Sequence, residues 1–447
     1  MKDLIKYYFA FGFILYFFIL IFGFNIYENV IPSFVYNIFT FLSFFLLLIY
    51  FSKNKLKYSA SLLLITIFFF SILNVVILDI MYYVHHGDFF QFQSIDEQTY
   101  NKWALLVQDL SLINTIQYYS EYWGHFDDLG AMMYISTLYR IVESTLIVNF
   151  ANIICGVISA KLLYKLANFF MDKRYSFYTA LVFFSSSFMF ALESSGLKES
   201  IFILVVIATF YNYYLFYFRR QNKYIYRAIL IGLLIMFFRP AVLGMLIVSI
   251  VVGLVINQRG VSIKSLSLSA VLMIVFIFVS GFLTKITNSY SSFDKSIEVR
   301  SDAVQTSGSV AVTVAAASIA SFFGPLPNLI PRLDKENNAI YASGLLFKSL
   351  LSVPFWFGIL YIIKRKLYQL ISLIAMSLMG MLSLLYILES YELRYHLTYL
   401  PFFYILSFYY LSKLDGNKIL RRRKSVRMKI SYLMVFLLIA YWNYRLL

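Results

Sequence analysis

The stretch MKDLIKYYFAFGFILYFFILIFGF, residues 1–24, decides the class of fold. Lys2 and Lys6 open it, and the apolar run behind them is longer than the core of a secretory signal. No small-residue cleavage site follows, so the run is expected to stay as a first membrane-spanning helix. The same texture recurs to the end of the chain. Of 447 residues, 61% are hydrophobic and 13% charged, and the mean hydropathy is +0.76. A soluble domain carries about 25% charged residues. Apolar runs of about 20 residues cross a bilayer as helices, whereas a barrel strand would show short alternating segments. The expected fold is an all-α polytopic membrane protein, residues 1–447 forming one integral membrane domain.

Net charge is +16. In a soluble chain that would suggest nucleic acid. Here Lys and Arg cluster in short segments such as SKNKLK, RRQNKYIYR and RRRKSVRMK, so they are read as topology signals and no nucleic-acid partner is expected. Placing each apolar run by its basic flanks gives about 12–13 transmembrane helices, among them 7–23, 33–51, 59–79, 176–193 and 200–218. A short interfacial helix is expected near 130–143. The run around Arg239-Pro240 reads as two short spans. Two large outer loops result, 80–129 and 284–341, with a basic cytoplasmic loop at 413–429. The single cysteine, Cys155, excludes an internal disulfide.

All four histidines, His85, His86, His125 and His396, fall on the outer side of this scheme, as do most acids. Chemistry is therefore expected on that face. Within SIDEQTYNKW, residues 94–103, Ser94 and Glu97 have capping-box spacing, so a helix should start there. Asp96 would lie in its first turn, where the helix dipole favours an anion. Asp96, Tyr100 and Trp103 share one helical face, a carboxylate beside two rings that suits a sugar. Glu97 reads either as the cap or as a glycan contact.

HFDDLG offers His125, Asp127 and Asp128 either as a polar entry to the next helix, as glycan contacts, or as ligands of a divalent cation; no dedicated metal site is assigned. Lys198 and Glu199 read as an interfacial ion pair, or Lys198 as a phosphate contact. Arg239 at bilayer depth would be costly and hence functional. ESYELRYH gathers Glu389, Glu392, Arg394 and His396; Arg394 pairs with one of the glutamates or grips a phosphate with its planar fork. Arg300 and Arg332, in the second outer loop, read as glycan contacts or as solvating groups.

An Asp four residues before a Tyr, in the first large outer loop of a many-helix chain, resembles the GT-C superfamily of membrane glycosyltransferases. So does the order of ANIICGVISAKLLYKLANFF, YTALVFFSSSFMFALESSGLKESIFIL, FFRPAVLG and ELRYHLTYLPFFYILSFYYL. The resemblance covers most of the chain loosely. One departure is that three expected spans, not one, precede the acidic loop. That layout is also similar to Wzy-type polymerases of O-antigen and capsule repeat units. The resemblance implies an inverting glycosyl transfer at the periplasmic face of a bacterial inner membrane. The partners it implies are a polyprenyl-(di)phosphate-linked sugar donor, a lipid-linked glycan acceptor and membrane lipid. Asp96 would be the base, Arg394, Arg239, Lys198 and His396 would hold the donor phosphate, and Tyr100, Trp103, Glu97, Asp127, Asp128, Arg300 and Arg332 would line the glycan. Single-sugar transferase and repeat-unit polymerase both stay open. A lipid-linked glycan flippase is the rival, although its expected repeat symmetry is not evident in the sequence.

Overall fold

The computed structural model describes residues 1–22, 31–53, 58–90, 95–123, 128–256, 318–329, 340–386 and 393–444. Among them the regular structure is helical and no strand occurs. The helices are α1 (Lys2–Phe22), α2 (Ile31–Lys53), α3 (Ala60–His86), α4 (Ile95–Val107), α5 (Leu112–Trp123), α6 (Leu129–Tyr139), α7 (Thr145–Ala167), α8 (Lys173–Phe184), α9 (Ser187–Glu193), α10 (Glu199–Arg219), α11 (Asn222–Leu233), α12 (Pro240–Ile256), α13 (Ala342–Lys364), α14 (Ile371–Tyr386), α15 (Leu393–His396), α16 (Leu400–Gly416) and α17 (Lys418–Tyr444).

Local chemistry fixes several ends. Ser59 caps α3 by accepting from Leu62 N–H at 3.2 Å, and Gly87 closes it in the left-handed region at φ +80, where glycine carries no steric penalty. Asp172 caps α8 through Tyr175 N–H at 2.9 Å. Pro240 opens α12, where a missing N–H costs nothing.

Among the described residues five helices are long and apolar enough to cross a membrane: α2, α3, α7, α10 and α13. A sixth arises if α8 and α9, bent by 55°, form one broken span. The chain is a multi-pass α-helical membrane protein. The 12–13 expected spans were counted over the whole chain, of which 257–317 lies outside the described residues; within the described residues the 176–193 run bends at Ser185-Ser186, α12 and the 368–384 stretch are short, and α6 is short, like the interfacial helix expected near 130–143. Two of the segments expected to connect spans contain helix. Segment 80–129 holds the end of α3 and the whole of α4 and α5. Segment 413–429 is helix on both sides of Asn417, Lys413 lying in the last turn of α16 and the other basic residues in α17. Of 284–341, only 318–329 and 340–341 are described.

α8, α9, α13 and α16 are buried on nearly every side, as helices apolar all round should be. Rings join α16 to its neighbours: Phe403 on Phe355 of α13 at 4.4 Å, Phe402 on Phe210 of α10 at 4.2 Å and Tyr404 on Phe183 of α8 at 5.1 Å. α10 lies between α7 and α11, and α12 packs on α14. Residues 323–329 are pinned to the bundle by polar bonds. Lys348 Nζ donates to Phe323 O at 3.2 Å, and Asn443 accepts from Leu329 N–H at 2.8 Å while donating to Pro327 O at 3.0 Å.

Glu193, at the end of α9, is fully buried against α7. A Cβ at Gly156 would overlap its Oε1. Gly156→Ala should therefore lower stability by about 1–3 kcal/mol through overpacking, read as a lower thermal unfolding midpoint in detergent. An unchanged midpoint would show that Glu193 can swing aside.

Candidate functional site

α4 enters the bundle with Asp96 and Glu97 in its first turn. Its inner face, Tyr100 and Ala104, packs on Ala131 and Ile135 of α6, with Val148 and Leu197 closing the cluster. Arg140, just after α6, donates to Gln108 O and Leu110 O, both at 2.6 Å, and so ties the α4–α5 turn to α6. The irregular stretch 194–198 runs beneath α4, buried throughout. Such a backbone needs partners. Glu97 accepts from Gly196 N–H at 2.7 Å, and Asn152 donates to Ser195 O at 2.8 Å. Lys198 and Glu199 are thereby fixed at the start of α10. The break before Pro240 delivers Arg239, and the short α15 delivers Arg394.

Among the described residues three ion pairs meet here. Arg394 Nη1 binds Asp96 Oδ2, Lys198 Nζ binds Asp128 Oδ1, and Arg239 Nη2 binds Glu199 Oε1 at 2.8 Å. The pairs are cross-linked. Arg239 Nη1 donates to Arg394 O at 3.3 Å, and Lys198 Nζ donates to Phe238 O at 3.1 Å while lying 5.6 Å from the Tyr100 ring centre. They differ in depth. Asp96 and Arg394 side chains are 43% and 28% exposed, against 2% for Glu199 and 6% for Lys198. Asp96 and Arg394 thus form the open mouth, with the other pairs beneath it.

The sequence candidates divide accordingly. Asp96, Glu97, Tyr100, Asp128, Lys198, Arg239 and Arg394 come together. Lys198 does not snorkel beside Glu199: it turns inward to Asp128, and Glu199 takes Arg239. Arg394 meets Asp96, with Glu389 and Glu392 outside the described residues. Tyr100 and Trp103 enter different clusters. Tyr100 is 9% exposed within the α4–α6 core, whereas Trp103 packs with Ile116 and Tyr119 and meets Tyr118 edge-on at 5.9 Å. Burial, then the charges of Glu199 and Asp96, raises the Tyr100 phenol above its ordinary range, so it acts as a neutral ring. His396 is fully buried with Nδ1 on the Tyr399 hydroxyl at 2.5 Å, within the α15–α16 turn. Arg300, Arg332, Asp127 and His125 lie outside the described residues, as does Ser94. Among the described residues no three His, Cys, Asp or Glu side chains gather as metal ligands. Glu199 as the partner of Arg239, and Gly196 as the partner of Glu97, were not anticipated, because sequence spacing does not say which distant elements meet.

Residues 131–284 match the family model described as dolichyl-phosphate-mannose-protein mannosyltransferase. The stretch covers α6 to α12 and includes Lys198, Glu199 and Arg239. The match supports a membrane glycosyltransferase of the GT-C kind. No curated protein and no solved structure matches the chain.

Proposed function

We propose that the chain moves a glycosyl group from a polyprenyl-phosphate-linked donor to an acceptor glycan at the outer face of a bacterial inner membrane, in surface polysaccharide assembly such as O-antigen or capsule. One observation carries the reading: Asp96, Lys198, Arg239 and Arg394, drawn from four distant stretches, meet in one linked cluster. The match over 131–284 adds to it, since that family is named for mannosyl transfer from a dolichyl phosphate.

In this reading the acceptor hydroxyl gives its proton to Asp96 as its oxygen bonds the anomeric carbon. The bond from that carbon to the phosphate oxygen breaks, the phosphate leaves with the electron pair, and the configuration inverts. Once Asp96 is neutral, the positive charge of Arg394 is no longer compensated there and can stabilise the phosphate as it gains charge. Each of the three cations faces a carboxylate, so the described cluster has no surplus positive charge. This favours one phosphate over two, and single-sugar transfer over repeat-unit polymerisation.

The test uses vesicles holding the chain and a lipid-linked donor labelled in the lipid. Acceptor-dependent release of polyprenyl monophosphate is expected. Release of polyprenyl diphosphate would overturn the choice of transferase over polymerase. Passage of intact donor across the membrane would favour the flippase.

A further inference from the structure

The guanidinium of Arg239 is committed to groups of the protein. We infer that Arg239 is a positioning residue that holds Arg394 against Asp96 and does not itself bind phosphate. This rests on the reading of Arg394 as the phosphate contact.

An arginine fork has two usable edges and two faces. In Arg239 both amino groups and both faces are engaged. One amino group meets Glu199 Oε1 at 2.8 Å, and the other donates to the backbone carbonyl of Arg394 at 3.3 Å. Its guanidinium carbon lies 4.7 Å from the ring centre of Tyr395 and 5.5 Å from that of Phe202. The side chain is 15% exposed. Glu199, 2% exposed, is the fixed end of the arrangement: buried at the start of α10, it requires a cation beside it.

The backbone bond gives Arg239 its effect. α15 has four residues, too few for its carbonyls to be satisfied within the helix. Arg239 takes the carbonyl of Arg394 itself and braces the next ring, Tyr395. The backbone from which Arg394 reaches Asp96 is held at the point of departure. Arg239 is in turn immobilised at the break before Pro240, its own N–H bonded to Ile235 O at 2.8 Å and its carbonyl accepting from Val242 N–H at 3.0 Å. The chain of contact runs from Glu199 through Arg239 and the Arg394 backbone to Asp96.

The two roles separate in a double-mutant cycle read as the Kd for undecaprenyl phosphate, measured on the purified full chain in nanodiscs. Arg394→Lys should weaken binding about tenfold, the effect of one charge-assisted hydrogen bond. Arg239→Lys keeps a cation for Glu199 but cannot span both acceptors, and should also weaken binding, by up to about tenfold. The double variant should bind no more weakly than Arg394→Lys alone, because Arg239 acts through Arg394. An independent phosphate contact would instead multiply the two losses to about 100-fold and overturn the inference. Glu199→Gln keeps an acceptor oxygen for Arg239 and provides a second route if Arg239→Lys does not fold; its loss should likewise vanish in the Arg394→Lys background. A lower unfolding midpoint with unchanged Kd would reduce Arg239 to a folding role and overturn the inference. If Arg394→Lys weakens binding and Arg239→Lys does not, the positioning role alone fails. If Arg394→Lys binds as the wild type does, the reading of Arg394 fails with it.

Discussion

Asp96→Asn, accumulating to the wild-type level, is expected to slow glycosyl transfer by about 10²–10⁴-fold, the range for losing a positioned general base. The substitution is nearly isosteric and keeps an oxygen for Arg394, so the α4–α15 contact should survive. It removes the ability to take a proton. The loss should fall on kcat, with donor KM little changed, since Arg394 and Lys198 remain. Initial rates of label transfer from donor to glycan check this. A wild-type rate would reduce Asp96 to a helix-start anion paired with an arginine.

The second large effect is on stability. Asp128→Asn leaves the Lys198 ammonium 6% exposed without the carboxylate that faces it. Breaking a buried pair from one side is strongly destabilising. A cost of about 3 kcal/mol is expected, at the lower end because Asp128 keeps some solvent contact. Phe238 O and the Tyr100 ring still touch the ammonium but carry no full negative charge. The double change Asp128→Asn, Lys198→Met should recover most of the midpoint, since neither charge of that pair is left buried. It should not recover transfer if Lys198 serves the donor phosphate. Thermal unfolding in detergent and the same transfer assay separate the two effects. Equal destabilisation by single and double changes would mean that the pair is not the source of the cost.

These expectations draw unequally on sequence and structure. The apolar runs were legible because bilayer thickness imposes a length that hydropathy alone reveals; α2, α3, α7, α10 and α13 fall where the runs do. The bend between α8 and α9 was not, since the 176–193 run has no proline or glycine to mark it, and the break lies within a serine triplet. Within segment 80–129 the start of α4 was legible from its capping pattern, whereas α5, too short and polar to resemble a span, was not. Within the candidate site, residue types were legible from their cost: Lys, Arg and Asp in an apolar chain need a reason to be there. Partners were not. Arg394 and Asp96 are 298 positions apart, and nothing in ELRYH or SIDEQ encodes their meeting. Local grammar misled twice. Lys198 and Glu199 are neighbours yet pair with different elements, and Tyr100 and Trp103 share a helical face yet enter different clusters.

The most direct measurement is the surface polysaccharide of a strain lacking this chain, complemented with the wild type or with Asp96→Asn at matched protein level, and resolved on a gel. The account predicts a truncated or unmodified glycan in the deletion strain, restored by the wild type and not by Asp96→Asn. An unchanged glycan in the deletion strain would contradict it, and so would full restoration by Asp96→Asn.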